Sequence, residues 1–392
     1  MSTATFHALP AVIAGPPASN GALYHRIRFS VGDPAALIEI PGADGGAPRR
    51  VLIIRDIEVD RARRHARADE VHPPADFEPE GGFSADREIA TAQALAECLR
   101  RRGIAAVRGD RSLALVYAEA IRDAGIAVEY DPDLGVTERR SKDAQEIEWL
   151  REAQSVTEGC MAMACGMIAR ASARRDGTLE HGGDALTSER IRVAIDAFLT
   201  ERGYANPESI VAGGKLGADC HDRGRGPLRS GELIIVDIFP RNKQTGYHGD
   251  CTRTVVHGEI PAEAARMHRT VVEAKSAAIA ALRPGTTGDA IHAAATAVIR
   301  AEGYGVGLPP LEAGPQWCGM THGTGHGIGL DVHEPPLLVA GGTALVLGDA
   351  LTIEPGLYCA AIGGVRVEDL VIVGAEGPIN LNRLPEGLDC WR

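Results

Sequence analysis

The chain has 392 residues, enough for two domains with ample core. A net charge of −12 marks an acidic protein, and no Lys/Arg cluster is long enough to track a phosphate backbone, which excludes a nucleic-acid partner. No apolar run approaches the ~20 residues that span a bilayer, and eight scattered cysteines (98, 160, 165, 220, 251, 318, 359, 390) without a CxxC pair read as free thiols of a reducing cytoplasm.

The opening MSTATFHALPAVIAGPP lacks a basic region ahead of its weak apolar segment and makes a poor signal peptide. Residues 1–138 then read as an α/β domain. Strands are predicted at Ala35–Ile40, Val51–Arg55, within 104–110 and at 126–131. A helix near Asp86–Arg102 turns Ile89, Ala92, Leu95 and Leu99 to one face and stops at Gly103; another runs near Leu113–Asp123. No catalytic constellation shows here, and His7, His25, His65 and His72 read as surface residues.

Residues 139–392 form the second predicted domain. Asp143, with Glu146 three residues on, has the pattern of a capping box opening a long helix with Ile147, Leu150, Ala153 and Val156 inward. Met161, Met163 and Met167 continue it as core residues. A second helix spans about Ser188–Arg202.

Gly231–Thr254, GELIIVDIFPRNKQTGYHGDCTRT, follows. Its apolar run ends on Asp237; Pro240, Asn242 and Gly246 supply turn chemistry, and a second extended run passes Asp250 toward Val256. Folded as a hairpin, it brings Asp237 and Asp250 to one end of a sheet, where two carboxylates repel unless they share a proton or a cation. After helices at Pro261–Leu282 and Thr287–Glu302 comes THGTGHGIGLDVHE, 321–334. Its alternating glycines oppose a helix. An extended chain would put His322, Thr324, His326 and Ile328 on one face and leave a glycine face for close approach by another backbone or a ligand. A phosphate cradle lacks the Lys-Ser/Thr that such loops carry.

GDALTIE, 348–354, then repeats the pattern of GELIIVD, with Glu354 in the place of Asp237 117 residues earlier. Glu368 follows Glu354 by 14 positions, as Asp250 follows Asp237 by 13. The chain therefore builds an acid-bearing hairpin twice, each preceded by helices. That predicts a duplicated α+β unit with a pseudo-two-fold axis and a strongly curved antiparallel sheet covered by helices. Four carboxylates meeting on that axis require cations. With one histidine, the oxygen-rich set suits paired Mn²⁺, Co²⁺, Fe²⁺ or Zn²⁺ better than a single structural zinc. Two ions ~3.5–4 Å apart would hold a bridging hydroxide as nucleophile.

Asp237, Asp250 in GDCTRT, His326 in HGTGHGIGLDVHE, Glu354 in TIEPGLY and Glu368 in VRVEDLVIV match, in order, the five metal ligands of the pita-bread metallopeptidases. The chain thus resembles, over about Lys142–Leu381, the family of Xaa-Pro aminopeptidase, prolidase and methionine aminopeptidase. The preceding domain more loosely resembles the creatinase/prolidase N-terminal domain. The resemblance implies a homodimeric hydrolase with two divalent ions, manganese first, and the cysteine pattern a cytoplasmic one. Its substrate would be a short peptide with proline at the second position; charge and hydropathy had already set aside nucleic-acid and membrane partners. Asp250 and Glu368 would bridge the metals, Asp237 would hold one, and His326 with Glu354 the other. Glu354 would also shuttle the proton. His221, in VAGGKLGADCHDRG, matches the histidine that closes over substrate. His322 and His333 match those that bind the scissile carbonyl and the proline side, and Arg366 the arginine of the VRxED motif.

One departure concerns the first hairpin, whose IFPRNKQTGYHG is two residues longer than the family's usual turn and bears on substrate preference. Cys251 and Cys359 read as small core residues, and Thr252 and Arg253 as groups orienting Asp250. Two further functions share the pattern: a dimethylsulfoniopropionate-type lyase that keeps a metal site, and a metal-free binding module, against which the intact ligand set counts.

Overall fold

A computed structural model describes residues 9–42 and 45–391, so His7 lies outside the described residues. The chain divides into two compact units, Met1–Arg139 and Arg140–Arg392.

The first unit is a six-stranded mixed sheet between two helical layers. Its strands are β1 (Ala11–Gly15), β2 (Ala35–Ile40), β3 (Arg49–Ile54), β4 (Glu70–His72), β5 (Ala106–Gly109) and β6 (Ala127–Tyr130), in the order β4-β3-β2-β1-β5-β6. Strand alternation divides the side chains of β1: Ala11 and Ile13 pack with α1 (Gly21–Ile27) and α2 (Asp56–His65), whereas Val12 and Ala14 pack with α3 (Arg87–Arg101) and α4 (Leu115–Asp123). The stretch read as a weak apolar segment is thus an interior strand; five residues buried on both faces carry no period to betray it. Ile89 departs from its expected place. Asp86 caps α3 by accepting from Glu88 and Ile89 N–H, which leaves Ile89 41% exposed in the first turn, while Ala92, Leu95 and Leu99 are buried.

The second unit repeats one α+β arrangement. Its first half contains α5 (Ala144–Ala169), α6 (Ser188–Glu201) and the sheet β7 (Ser209–Gly213), β8 (Leu233–Ile238), β9 (Cys251–Val256) in that order. Its second half contains α7 (Ala262–Ala281) and α8 (Gly288–Ala301), followed by β10 (Cys318–Met320), β11 (Gly325–Gly327), β12 (Glu334–Leu338), β13 (Ala350–Ile353), β14 (Gly356–Cys359), β15 (Gly363–Arg366) and β16 (Asp369–Val373). There the order β11-β13-β16 reproduces β7-β8-β9.

The helices start where local chemistry dictates. The capping box of α5 is formed: Asp143 accepts from the Glu146 N–H at 2.8 Å and Glu146 accepts from the Asp143 N–H at 2.9 Å. Thr187 and Thr287 cap α6 and α8 by accepting from Arg190 and Ala290 N–H. Each helix pair covers its own half. Ile234, Val236, Ile238, Cys251 and Val255 pack under α5 and α6, and Leu351, Ile353, Val371 and Val373 under α7 and α8. No described helix is long and apolar enough to cross a membrane, and all eight cysteines are free thiols, with Cys251 and Cys359 buried in the core.

Candidate metal centre

Strand alternation decides where the acids go. On β8 the even-numbered residues face the helices, so Asp237 lies on the opposite face with Ile235, which packs with Tyr358. Asp237 pairs with Thr252 and Ile238 with Cys251, so Asp250 is the first residue beyond the end of the ladder. On β13, Leu351 and Ile353 face the helices and Glu354 the other side. Ile353 pairs with Asp369, which sets Glu354 and Glu368 as the next residues on either strand. The chain then passes into a second sheet, where Gly356 pairs with Arg366. The second acid pair therefore sits at the break between two ladders, where the Glu354 N–H turns to the Thr324 carbonyl and the Glu368 N–H to that of Thr252.

The halves are stitched together beside the acids. Glu368 N–H donates to the Thr252 carbonyl at 3.1 Å, and Thr252 Oγ1 donates to Glu368 Oε2 at 2.7 Å. Arg253, fully buried, donates to the Glu368 and Leu384 carbonyls and to Asp369, whose carboxylate also takes Lys275. Thr252 and Arg253 thus hold Glu368 and its neighbour rather than Asp250, because the edge of β9 away from β8 meets the second hairpin at Glu368. Asp250 is held from elsewhere, by Gln154 of α5.

His326 enters on β11. A Cβ at Gly325 would lie 1.9 Å from the Thr352 carbonyl oxygen, and one at Gly327 2.5 Å from that of Pro335; the glycine face admits neighbouring backbone. The expected single face of 322, 324, 326 and 328 is not kept. His322 and His326 line a cavity, whereas Thr324 Oγ1 lies 2.9 Å from His292 Nδ1 on α8. The strand begins only at Gly325, and its register shifts again between His326 and Gly327.

A cavity of about 480 Å³ is lined by Asp237, Asp250, His326, Glu354 and Glu368. His221, His322, His333 and Arg366 line it as well. Ligand atoms of Asp250, His326 and Glu368 lie within 4.8 Å of one another, and His326 Nε2 is 3.4 Å from Glu354 Oε1. His326 Nδ1 is 3.1 Å from the Gly327 carbonyl; a proton held there leaves the Nε2 lone pair facing the acids. Burial, then the charges of Glu368 and Asp237, push Asp250 well above the usual carboxylate range. Burial, then Glu354 and Asp237, do the same to Glu368. Burial also raises Glu354, with His322 and Arg366 opposing, and lowers His322, His326 and His333. Asp237 Oδ2 accepts from Arg366 at 2.6 Å, while its Oδ1 is buried without a hydrogen-bond partner. An orphaned carboxylate oxygen beside mutually repelling acids and a neutral imidazole is the donor set that divalent cations satisfy.

Two further groups, behind the cavity wall, hold residues that line it. Tyr358 OH lies 2.7 Å from His322 Nε2 and accepts from Arg366 at 2.9 Å. Sequence reasoning passed over Tyr358, since a tyrosine on an apolar strand is ordinarily core. It also passed over Gln154, although an amide four residues after buried Leu150 on the inward face of α5 was a readable anomaly. The long first hairpin mostly leads away from the cavity: Phe239 lines it, but Asn242 donates to Tyr204 OH, Tyr247 packs against Trp149, and His248 N–H donates to the Gly329 carbonyl.

The family model Peptidase_M24, metallopeptidase family M24, matches residues 148–375. The chain belongs to this family. It is 37% identical over 208 residues to the probable dipeptidase PepE of Mycobacterium tuberculosis, which is 52% of this chain and 51% of that protein. The match therefore spans about half the length of these curated relatives. Among solved structures, the Xaa-Pro dipeptidase from Bacillus anthracis superposes with a TM-score of 0.78 at 22% identity, over 97% of this chain and 94% of that one. Dipeptidase PepE from Mycobacterium ulcerans gives 0.73 at 26% identity, over 98% and 94%. The M24 member thus has the pita-bread fold, with an α/β unit ahead of it.

Proposed function

We propose that this M24 member is a metal-dependent peptidase that hydrolyses Xaa-Pro bonds in short peptides. The observation that carries the reading is the joint placement of Asp237, Asp250, His326, Glu354 and Glu368 on one cavity, with Asp237 Oδ1 left without a partner. Two divalent ions held by these five residues, manganese first, would polarise the scissile carbonyl and supply a nucleophile at neutral pH.

The chain's own residues supply the rest. Glu354 takes a proton from the attacking water and returns it to the leaving amine. We assign His333, whose ring lies 4.3 Å from that of His326, and His221, on the same cavity, to hydrogen-bonding the substrate; His322, whose two ring nitrogens face the Gly323 carbonyl and Tyr358 OH, would join them by exchanging its Tyr358 contact for the scissile carbonyl. Ile210, Phe239, Val332, Leu337 and Val339 give the cavity an apolar wall suited to a proline ring. Arg366 uses four of its five N–H groups inside the protein, donating to Asp237, Tyr358, Thr252 and the Cys220 carbonyl. That leaves Arg223, 3.5 Å from Glu208, as the other guanidinium on the cavity, and we assign it the free carboxylate of a dipeptide. Domain boundaries at 138/139, a homodimer and a cytoplasmic setting complete the proposal; the free thiols support the last.

The test is to strip the protein with chelator, reload it with Mn²⁺ or Co²⁺, and assay Xaa-Pro dipeptides, longer Xaa-Pro peptides, proline-free peptides and dimethylsulfoniopropionate together. Metal-dependent release of the N-terminal residue from Xaa-Pro substrates is expected. Turnover of dimethylsulfoniopropionate alone, or no metal uptake, would overturn the proposal.

A further inference from the structure

Gln154 is fully buried on α5 and lies outside the cavity. Its side-chain amide grips one residue from both sides. Oε1 accepts from the Asp250 N–H at 2.9 Å, and Nε2 donates to the Asp250 carbonyl at 2.7 Å. Nε2 also donates to Asn382 Oδ1 at 2.9 Å. Asn382 Oδ1 accepts in turn from the Leu370 N–H at 2.8 Å, and its Nδ2 donates to Cys251 Sγ at 3.4 Å. Two amides therefore connect the backbone at Asp250 with the backbone two residues after Glu368.

The reason lies in the ladder. Pairing between β8 and β9 ends at Ile238–Cys251, so Asp250 has no strand partner for its buried main-chain groups. Gln154 supplies both a donor and an acceptor for them. An apolar residue would serve for packing four positions after Leu150. A buried amide here costs desolvation and is satisfied only because Asp250 and Asn382 use it. Since Asp250 and Glu368 stand on separate hairpins, the distance between their backbones is not set by either hairpin alone.

We propose that Gln154 and Asn382 form an amide clip that, beside the Thr252–Glu368 bonds, fixes Asp250 relative to the Glu368 hairpin and thereby tunes the affinity for divalent metal. Both are positioning residues, and the inference rests on the metal-centre reading above. The experiment titrates chelator-stripped wild type, Gln154→Leu, Asn382→Ala and the double variant with Mn²⁺ by calorimetry. Co²⁺ titration followed by visible absorption runs in parallel, and circular dichroism of the metal-free proteins checks folding. Each folded single variant should bind Mn²⁺ about 10–100-fold more weakly, the range for groups that orient ligands. It should also change the Co²⁺ absorption, and regain turnover as Mn²⁺ is raised. The double variant should lose less than the product of the single losses, because both act through one link. Asn382 is only partly buried, so Asn382→Ala keeps the test open if Gln154→Leu does not fold. Wild-type affinity in either folded variant overturns the clip, and so does failure of both to fold, which would make it a general structural element. Wild type that takes up no Mn²⁺ would overturn the metal-centre reading itself.

Discussion

Glu354 and Arg366 show how the same cluster treats opposite charges. Arg366 is surrounded by acceptors, whereas Glu354 faces other acids and lies 3.4 Å from His326. Glu354→Gln keeps the shape and removes both the charge and the proton acceptor. Turnover should fall ~10²–10⁴-fold, while the metal-free variant should melt no lower than metal-free wild type, since one repelling carboxylate is gone. Near-full turnover with metal bound would contradict the role given to Glu354. Arg223→Met addresses the substrate end. Cleavage of an Xaa-Pro dipeptide should drop at least ~10-fold in kcat/KM, the order expected for a charge-assisted bond of 1.5–3 kcal/mol. An Xaa-Pro substrate amidated at its C-terminus should be little affected; equal losses on both would remove the carboxylate assignment. At this scale the sequence was readable where a residue stood inside a motif of its own, as each of the four acids and the one histidine did. The partners of Thr252 and Arg253 were not readable, because they depend on how two hairpins 117 residues apart in sequence face one another.

Among the elements, long helices with period and caps were legible, as Asp143–Glu146 at the head of α5 illustrates. Short ones were not. β1 is a five-residue apolar run buried on both faces, and α1 has seven residues, so neither offers enough turns for a period to show. The glycine-rich stretch was legible as non-helical but not in its facing, since β11 has only three residues and a register shift within it. Its glycines carry a prediction. Gly325→Ala would force β11 and β13 apart at the Thr352 carbonyl, and should destabilise the metal-free protein by roughly 1–3 kcal/mol, the usual cost of overpacking. Urea unfolding would measure it; a change below ~0.5 kcal/mol would mean that the strands separate more easily than their packing implies.

Across the whole molecule, the residues of the candidate centre all belong to the second unit, and a ligand held by them should be felt there first. Hydrogen exchange with and without Mn²⁺ should show slower exchange at β8, β9, β13 and β16, and no change in the buried strands β1 to β3. Equal protection in both units would contradict a centre built from residues 237–368 alone. The duplication was readable as a repeated acid pattern, but the matching sheet orders, β7-β8-β9 and β11-β13-β16, emerge only in three dimensions. They have a genetic consequence. The first half brings Asp237 and Asp250, the second brings His326, Glu354 and Glu368, and the segment joining them, His257–Pro261, is partly or fully exposed. A gene cut within that segment would encode two fragments, each inert by itself. Co-expressed, they should complement one another in trans, with activity rising as the product of their concentrations until pairing saturates.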